Sequence, residues 1–147
     1  MIRELCCAVA LLVAVPAAAA DEDVLKPIRA FIQAANVGDG KTMAAAHVSS
    51  PSIIDEFPPH HWSGPDAISQ WGADFAKDAA THGDTDAKLT IVKVNRVTSD
   101  ADHAYAVVAT DYTFKRKGVA MTEHGSISYA LDHTPDGWRI ASWAYSW

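Results

Sequence analysis

Apolar residues recur every three or four positions in the first part of the chain, a spacing typical of helices that bury one face. The clearest such segment covers residues 24–37 and stops at Gly38. Pro27 lacks a backbone N–H and fits best in the first turn of a helix. We therefore predict a first helix that begins near Val24 and ends at Gly38.

Two further helices and a short strand are predicted before residue 84. Asp39 is placed to cap a short helix that reaches His47, and a longer helix is expected to start near Pro65 and to end at Gly83. The segment Ser52–Phe57 between them has the composition of a strand. The first half of the mature chain is therefore expected to form a mainly helical layer.

After Asp86 the pattern changes to β-branched and aromatic residues separated by short turns. The four strands predicted from this pattern cover residues 89–97, 103–116, 119–131 and 138–147. Short turns join neighbouring strands in antiparallel pairs. Helices followed by such a meander indicate an α+β fold, in which a curved antiparallel sheet packs over three N-terminal helices.

The first twenty residues have the organisation of a signal peptide. Arg3 precedes an apolar run over residues 5–15, and small residues lead up to Asp21. The run is shorter than the roughly 20 residues that a membrane-spanning helix needs. We expect cleavage after Ala20, a single mature domain over residues 21–147, a periplasmic or secreted location, and no membrane attachment after cleavage.

The leader also carries both cysteines, Cys6 and Cys7, so the mature chain is expected to have no disulfide and no thiolate nucleophile. The histidines show neither His-x-His nor His-x-x-x-His spacing, which is unfavourable for a zinc site. We therefore expect no metal and no cofactor.

The net charge is −6, and removing the leader leaves it unchanged because Arg3 and Glu4 cancel. An acidic chain of this kind is a poor partner for the nucleic acid backbone. Nucleic acid binding is therefore not expected.

The last predicted strand carries large apolar side chains on both faces if it alternates regularly. Trp138 and Ile140 share one face, and Trp143, Tyr145 and Trp147 share the other. A monomer with one solvated sheet face does not need three aromatic residues there. This pattern favours a homodimer built through the outer face of the sheet.

Three strings give the mature chain a resemblance to a known superfamily. They are AANVGDG at the end of the first helix, DEFPPHHWSGPDAISQW between the first strand and the third helix, and the terminal DGWRIASWAYSW. In this order they resemble the SnoaL-like group of the nuclear transport factor 2-like superfamily. The resemblance implies a conical α+β barrel, commonly dimeric, with an apolar cavity between the helices and the concave sheet. Some similar proteins are polyketide cyclases, ketosteroid isomerases or dehydratases, whereas others bind small molecules or mediate oligomerisation.

Asp55 and Glu56 interrupt the apolar pattern of the first strand. Alternation places Asp55 on the face of Ile53 and Phe57, and Glu56 on the opposite face. A carboxylate in an apolar cavity has a raised pKa and suits general acid or base chemistry. The alternative interpretation is that Asp55 accepts hydrogen bonds from loop amides near Trp62. The resemblance to superfamily enzymes also keeps Asp55 as a catalytic candidate.

His60, His61 and Trp62 lie in a proline-stiffened connection expected at the cavity rim. A histidine there can titrate near neutral pH or hold a substrate oxygen, so His61 is a ligand-binding candidate. Trp62 is a second one, although a packing role over the third helix is the simpler interpretation. Adjacent histidines in an extended chain point apart, which makes the pair a poor metal chelator.

Asp111 lies in the middle of an apolar strand, on the face shared by Tyr105 and Thr113. A charge in such a place needs a partner or a purpose. Asp111 is a candidate acid or base with Tyr105 as a nearby donor. The alternative pairs Asp111 with a basic group across the sheet, such as Lys93 or Arg139. Alternation cannot decide which face is concave.

Glu123 shares a face with Ile127 and Tyr129, whereas His124 shares the opposite face with polar residues. Because these neighbours are apolar, the face that carries Glu123 is expected to line the cavity. Glu123 is therefore a further acid or base candidate, and Tyr129 a donor and ligand contact beside it.

The sequence leaves three functions open. The preferred hypothesis is an exported domain that binds a small, largely apolar molecule in its cone. The second is an acid/base enzyme that transfers a proton next to a carbonyl. The third is a dimerisation or protein-interaction module without a ligand.

Overall fold

The computed structural model describes residues 17–147, which form three helices and six strands. The helices are α1 (Ala17–Val37), α2 (Gly40–Ala45) and α3 (Ala67–His82). The strands are β1 (His47–Ile54), β2 (His61–Ser63), β3 (Asp84–Ser99), β4 (His103–Arg116), β5 (Val119–Thr134) and β6 (Gly137–Ser146). Most of the predicted leader lies outside the described residues, so the signal peptide stays a prediction. No helix within residues 17–147 is long and apolar enough to span a membrane.

The first helix starts earlier than its pattern predicts. α1 already includes Ala17, so Pro27 lies inside the helix and not in its first turn. The alanines before Asp21 are strong helix formers and extend the helix backwards. Pro27 has no N–H to donate to the backbone carbonyl of Asp23, four residues earlier. The helix tolerates this one missing hydrogen bond.

The ends of the other two helices follow the predicted signals. The Asp39 side chain accepts a hydrogen bond from the Thr42 backbone N–H at 3.1 Å and caps α2. Gly83 closes α3 with a φ of 74°, in the left-handed region that favours glycine.

The predicted fold class is confirmed. The six strands form one sheet in the order β2-β1-β6-β5-β4-β3, and β3 to β6 form the expected antiparallel meander. The sheet is not entirely antiparallel, because β1 runs parallel to β6. β1 also ends at Ile54, so Asp55 and Glu56 follow the strand and do not belong to it.

The regular alternation expected for the last strand is wrong. Leu131 on β5 pairs with Ile140, but the neighbouring Ala130 pairs with Ser142, so β6 carries one extra residue, Ala141. Such a bulge turns the side chains that follow to the other face of the sheet. Ile140 and Trp143 therefore point to the same, buried side.

This bulge removes the argument for a dimer based on outward aromatic residues. Trp143 is 4% exposed, and its ring centroid lies 5.5 Å from that of Phe31 on α1. The homodimer remains a prediction without that support.

The core lies between the helices and the concave face of the sheet. Alternate residues of β4 are buried there, including Ala106, Val108 and Thr110, and they meet the apolar stripe of α1. The same face of β5 contributes Ile127, Tyr129 and Leu131, which are also fully buried or nearly so. This layer is the packed end of the barrel.

Candidate functional site

A cavity of about 300 Å³ lies between α1, α3 and the concave sheet, next to the packed core. Its volume falls at the lower end of the range usual for small-molecule pockets. Its wall is mostly apolar and includes the rings of Phe31, Phe57, Trp71, Phe75, Tyr112 and Trp143. We call these six residues the aromatic wall.

The rings of the aromatic wall contact one another. The Trp71 ring centroid lies 5.7 Å from that of Phe75 in a stacked arrangement, and 5.3 Å from that of Trp143 in an edge-to-face arrangement. Phe57 lies 5.7 Å from Phe75 on the other side. Such pairs each add about 0.5–1.5 kcal/mol beyond the burial of their area. The wall is thus a connected set of rings, held by contacts from both layers of the fold.

Asp55 brings a carboxylate to this apolar cavity. It follows β1 directly, and alternation continues from Ile53, which is fully buried. One carboxylate oxygen accepts a hydrogen bond from the Trp71 indole N–H at 2.9 Å, and the other accepts the Glu56 backbone N–H at 2.8 Å. Asp55 therefore faces the cavity and is also hydrogen-bonded, with one partner on α3 and one backbone amide in the loop that follows β1.

Burial raises the pKa of Asp55 above its ordinary value, because the ionised form loses solvation. The hydrogen bonds from Trp71 and from the Glu56 backbone act in the opposite direction, since they favour the carboxylate. A carboxyl group in this environment can exchange a proton with a bound molecule.

Glu56 also lines the cavity, at the side where a second hollow of about 250 Å³ begins. Burial raises the pKa of Glu56, and the neighbouring carboxylates of Glu123 and Asp55 raise it further. The second hollow also contains Asp84, which forms an ion pair of 2.7 Å with Arg116. Arg116 balances Asp84, so Glu56, Asp78 and Glu123 leave this second hollow with an excess of negative charge.

Asp111 and Tyr105 lie away from the cavity, on the convex face of the sheet. A ring nitrogen of His124 is 2.7 Å from a carboxylate oxygen of Asp111, so the partner across the sheet is a histidine and neither Lys93 nor Arg139. Tyr105 is 44% exposed on the same face.

Glu123 and Tyr129 face the concave side, as alternation predicts, but neither lines the aromatic cavity. Glu123 lies in the adjoining acidic hollow. Tyr129 is fully buried in the core, and burial raises its pKa strongly. The structure therefore brings Glu123 near Glu56 and keeps Tyr129 as a packing residue.

Trp62 and His61 lie on β2, the edge strand of the sheet that packs beside α3. Trp62 is 3% exposed, and its indole N–H donates a hydrogen bond of 2.9 Å to Asp74 on α3. His61 is exposed, with its Nε2 3.1 Å from the Ser52 hydroxyl oxygen. Neither residue lines the cavity.

His47 begins β1 and is shielded from solvent. It is buried, with its ring centroid 4.9 Å from that of Phe31 and its Nδ1 2.8 Å from the Met43 carbonyl oxygen. Burial lowers the pKa of His47 to about 4, so the ring is neutral near pH 7.

Regular alternation places two of the cavity residues on the wrong face of the sheet. Trp143 and Tyr145 face inward only because of the bulge at Ala141. Their indole N–H and hydroxyl groups are buried and lack a hydrogen-bond partner within residues 17–147. Tyr145 lies flat against β5, where a Cβ at Gly125 would be 2.6 Å from its hydroxyl oxygen. The glycine in the middle of β5 was the one available signal for this close approach.

One polar side chain holds the cavity wall in place. The Asn36 amide donates a hydrogen bond to the Leu89 carbonyl and accepts one from the Leu89 backbone N–H, both at 2.8 Å. This pair joins the end of α1 to β3 next to the cavity. Within the described residues no group of three or more histidine, cysteine or acidic side chains is arranged to hold a metal ion.

The fold is similar to several solved structures. A ketosteroid isomerase-like protein from Erwinia carotovora atroseptica SCRI1043 matches 86% of this chain and 94% of its own, with a TM-score of 0.67 and 20% identity. An NTF2-like protein with a cystatin-like fold from Novosphingobium aromaticivorans matches 87% and 82%, with a TM-score of 0.70 and 17% identity. At these identities the likeness shows the fold alone.

A third structure, an NTF2-like superfamily protein from Salmonella enterica serovar Typhimurium LT2, matches 88% of this chain and 91% of its own, with a TM-score of 0.68 and 21% identity. A comparison with curated proteins finds no match. The profile of the SnoaL-like domain matches residues 24–147, which is most of the chain. The chain therefore belongs to the SnoaL-like domain family.

Proposed function

We propose that this protein binds a small, largely apolar molecule in the aromatic cavity. The observation that carries the proposal is a cavity of about 300 Å³ with the aromatic wall on its sides and a half-buried carboxylate, that of Asp55, at its surface. Apolar walls with a few placed polar groups are the usual composition of small-molecule sites. An interaction module without a ligand does not need such a space.

The test is native mass spectrometry of protein purified from its own host, followed by identification of any retained molecule. Gly72 on α3 lines the cavity, and a Cβ built there meets no atom within 4 Å. Gly72→Leu should fill part of the space and abolish retention, whereas Gly72→Ala should retain the molecule. Equal retention in Gly72→Leu and wild type would contradict a ligand in this cavity.

A second candidate function is acid/base catalysis next to a carbonyl, of the cyclase, isomerase or dehydratase type. It is favoured by the burial of Asp55, which raises its pKa towards the range useful for proton transfer. The test is a pH–rate profile on a panel of ketones. Asp55→Asn should abolish turnover and Asp111→Asn, on the convex face, should leave it unchanged. If both variants keep their turnover, this role for Asp55 is excluded.

Export and self-association complete the proposal. The leader is proposed to direct the chain out of the cytoplasm, and N-terminal sequencing of protein from the host should then begin at Asp21.

The mature chain is proposed to form a homodimer through the convex face of the sheet. Light scattering should give twice the mass of one mature chain, and the mass of a single chain would exclude the dimer.

A further inference from the structure

The two acidic groups in the cavity have no positive partner. Within residues 17–147 no salt bridge involves Asp55 or Glu56. Both carboxylates line a wall that is otherwise mostly apolar. Asp55 is half-buried and its two hydrogen bonds bring no positive charge, whereas Glu56 is exposed. A carboxylate removed from water in this way is stabilised when a bound group supplies the opposite charge, so a cation would gain most beside Asp55.

We propose that the molecule bound in the cavity carries a positively charged nitrogen, an ammonium group, attached to an apolar body. This inference rests on the proposed small-molecule binding and names the chemical class of the ligand. An ammonium group would lie beside Asp55 and Glu56 while the apolar body packs against the aromatic wall.

Aromatic rings support a cation as well as an apolar body. The face of an aromatic ring attracts an ammonium group through its quadrupole, by about 0.5–2 kcal/mol when the group is desolvated. The aromatic wall supplies rings from α1, α3, β4 and β6, so a cation in this space has several within reach. A neutral group of the same shape gains the apolar contact alone.

The charges around the two carboxylates keep the cavity negative. Glu123 on β5 and Asp78 on α3 both raise the pKa of Glu56 through repulsion between like charges. The guanidinium of Arg116 on β4, which lies in the second hollow with Glu56, is held by Asp84 through two hydrogen bonds of 2.8 and 2.7 Å.

The remaining titratable neighbours do not neutralise this field. Lys88 on β3 borders the cavity but is exposed, and it pairs in register with the exposed Thr113, whereas the adjacent Leu89 packs towards the core. Alternation therefore directs the Lys88 ammonium to the convex side. His60 is exposed and contacts only the backbone oxygen of Asp55, at 3.3 Å from its Nδ1.

The hydrogen-bonding groups at the cavity surface are also mainly acceptors. Each oxygen of Asp55 uses one lone pair on Trp71 or on the Glu56 backbone and keeps another free. The Trp143 N–H and the Tyr145 hydroxyl are covered and do not reach the cavity surface. A ligand that supplies donors and a positive charge matches this surface, whereas a carboxylate or phosphate ester would be repelled by it.

The test compares three soluble probes that share one phenylbutyl body: phenylbutylamine, phenylbutanol and phenylbutyrate. Their binding is measured at neutral pH and low salt from the shifts of the tryptophan indole N–H resonances. The amine should bind at least about tenfold more tightly than the alcohol, which is within the range of one desolvated cation–π contact plus a carboxylate. The double variant Asp55→Asn/Glu56→Gln should bring the two affinities within about twofold, and Asp111→Asn should preserve the difference.

Each remaining outcome has a definite meaning. Alcohol or phenylbutyrate that binds wild type as tightly as the amine would overturn the ammonium assignment and leave small-molecule binding intact. Failure of all three probes to bind at their highest soluble concentrations would overturn both proposals. The comparison of the amine with the alcohol on wild-type protein stands by itself if the double variant does not fold.

The pH dependence gives a second readout. An ammonium group favours ionised carboxylates, so its affinity should increase as the pH rises through the raised pKa values of Asp55 and Glu56, and then level off. The alcohol should show no such increase. A flat profile for the amine over the same range would overturn the assignment.

Discussion

The indole N–H of Trp71 donates a hydrogen bond of 2.9 Å to a carboxylate oxygen of Asp55. This contact joins α3 to the segment that follows β1, and it places the most polar group of the cavity against the aromatic wall. Trp71 therefore has two roles, since its ring forms part of the wall and its N–H stabilises the charge beside it. The following predictions test this arrangement and the packing that supports it.

Replacing Trp71 by phenylalanine should raise the pKa of Asp55 further. Burial raises this pKa, and the hydrogen bond lowers it because it favours the ionised carboxylate. Without the hydrogen bond, the effect of burial is larger. Carboxyl-carbon NMR titration of Asp55 measures the shift directly. Trp62→Phe is the matched control, because the Trp62 indole N–H binds Asp74. An Asp55 pKa that is unchanged in Trp71→Phe would contradict this role.

Asp55→Asn should change how stability depends on pH. The pKa of Asp55 is higher in the folded chain than its ordinary value of 3.8, so the folded state holds this proton more tightly than the unfolded state. Ionisation of Asp55 therefore costs stability as the pH rises from about 3.8 through its folded pKa, and the cost is constant above that. The asparagine variant has no such cost.

Urea unfolding across this pH range measures the effect. The free energy of unfolding of Asp55→Asn, minus that of wild type, should become more positive with rising pH and then reach a plateau. Two parallel profiles would show that folding does not perturb Asp55. Asp111→Asn provides the comparison with a carboxylate outside the cavity.

Gly125→Ala should destabilise the protein by about 1–3 kcal/mol, the usual cost of overpacking. The new Cβ would lie 2.6 Å from the Tyr145 hydroxyl oxygen and 2.7 Å from two ring carbons, so the phenol must move. In Tyr145→Val the ring is absent, and the same substitution at Gly125 should cost much less. Additive costs in this double-mutant cycle, measured by chemical unfolding, would exclude the steric conflict.

Asn36→Ala should lower stability by about 1–3 kcal/mol, because it leaves two backbone groups of Leu89 without their partner. The amide hydrogen of Leu89 should then exchange with solvent faster than in wild type. Asn95→Ala changes an exposed residue of the same strand and serves as the control. Unchanged exchange at Leu89 would show that the Asn36 amide does not hold β3.

Local patterns predicted much of this cavity. The helical periods place Phe31, Trp71 and Phe75 on buried faces, and alternation from Ile53 directs Asp55 inward, as the structure shows. These predictions depend only on the repeat of a helix or a strand, which neighbouring residues determine.

The parts that failed depend on contacts between distant segments. Alternation groups Asp111 with Tyr105 correctly, but only the curvature of the whole sheet decides that their face is convex. The Asn36–Leu89 contact joins positions 53 residues apart, and no local signal marks it. The helical period places Trp71 on the inner face of α3, but its hydrogen bond to Asp55 depends on how α3 and β1 are placed relative to each other.

The extra residue at Ala141 lets one strand serve both the packed core and the cavity. If every residue of β6 paired regularly with β5, Ile140 would face inward while Trp143 and Tyr145 faced outward, whereas the bulge keeps all three on the concave side. A chain that lacked Ala141 would pair regularly and keep the same inward set. The aromatic lining therefore depends on the parity of residue number along β6, and the Ala141 side chain itself contributes nothing to it.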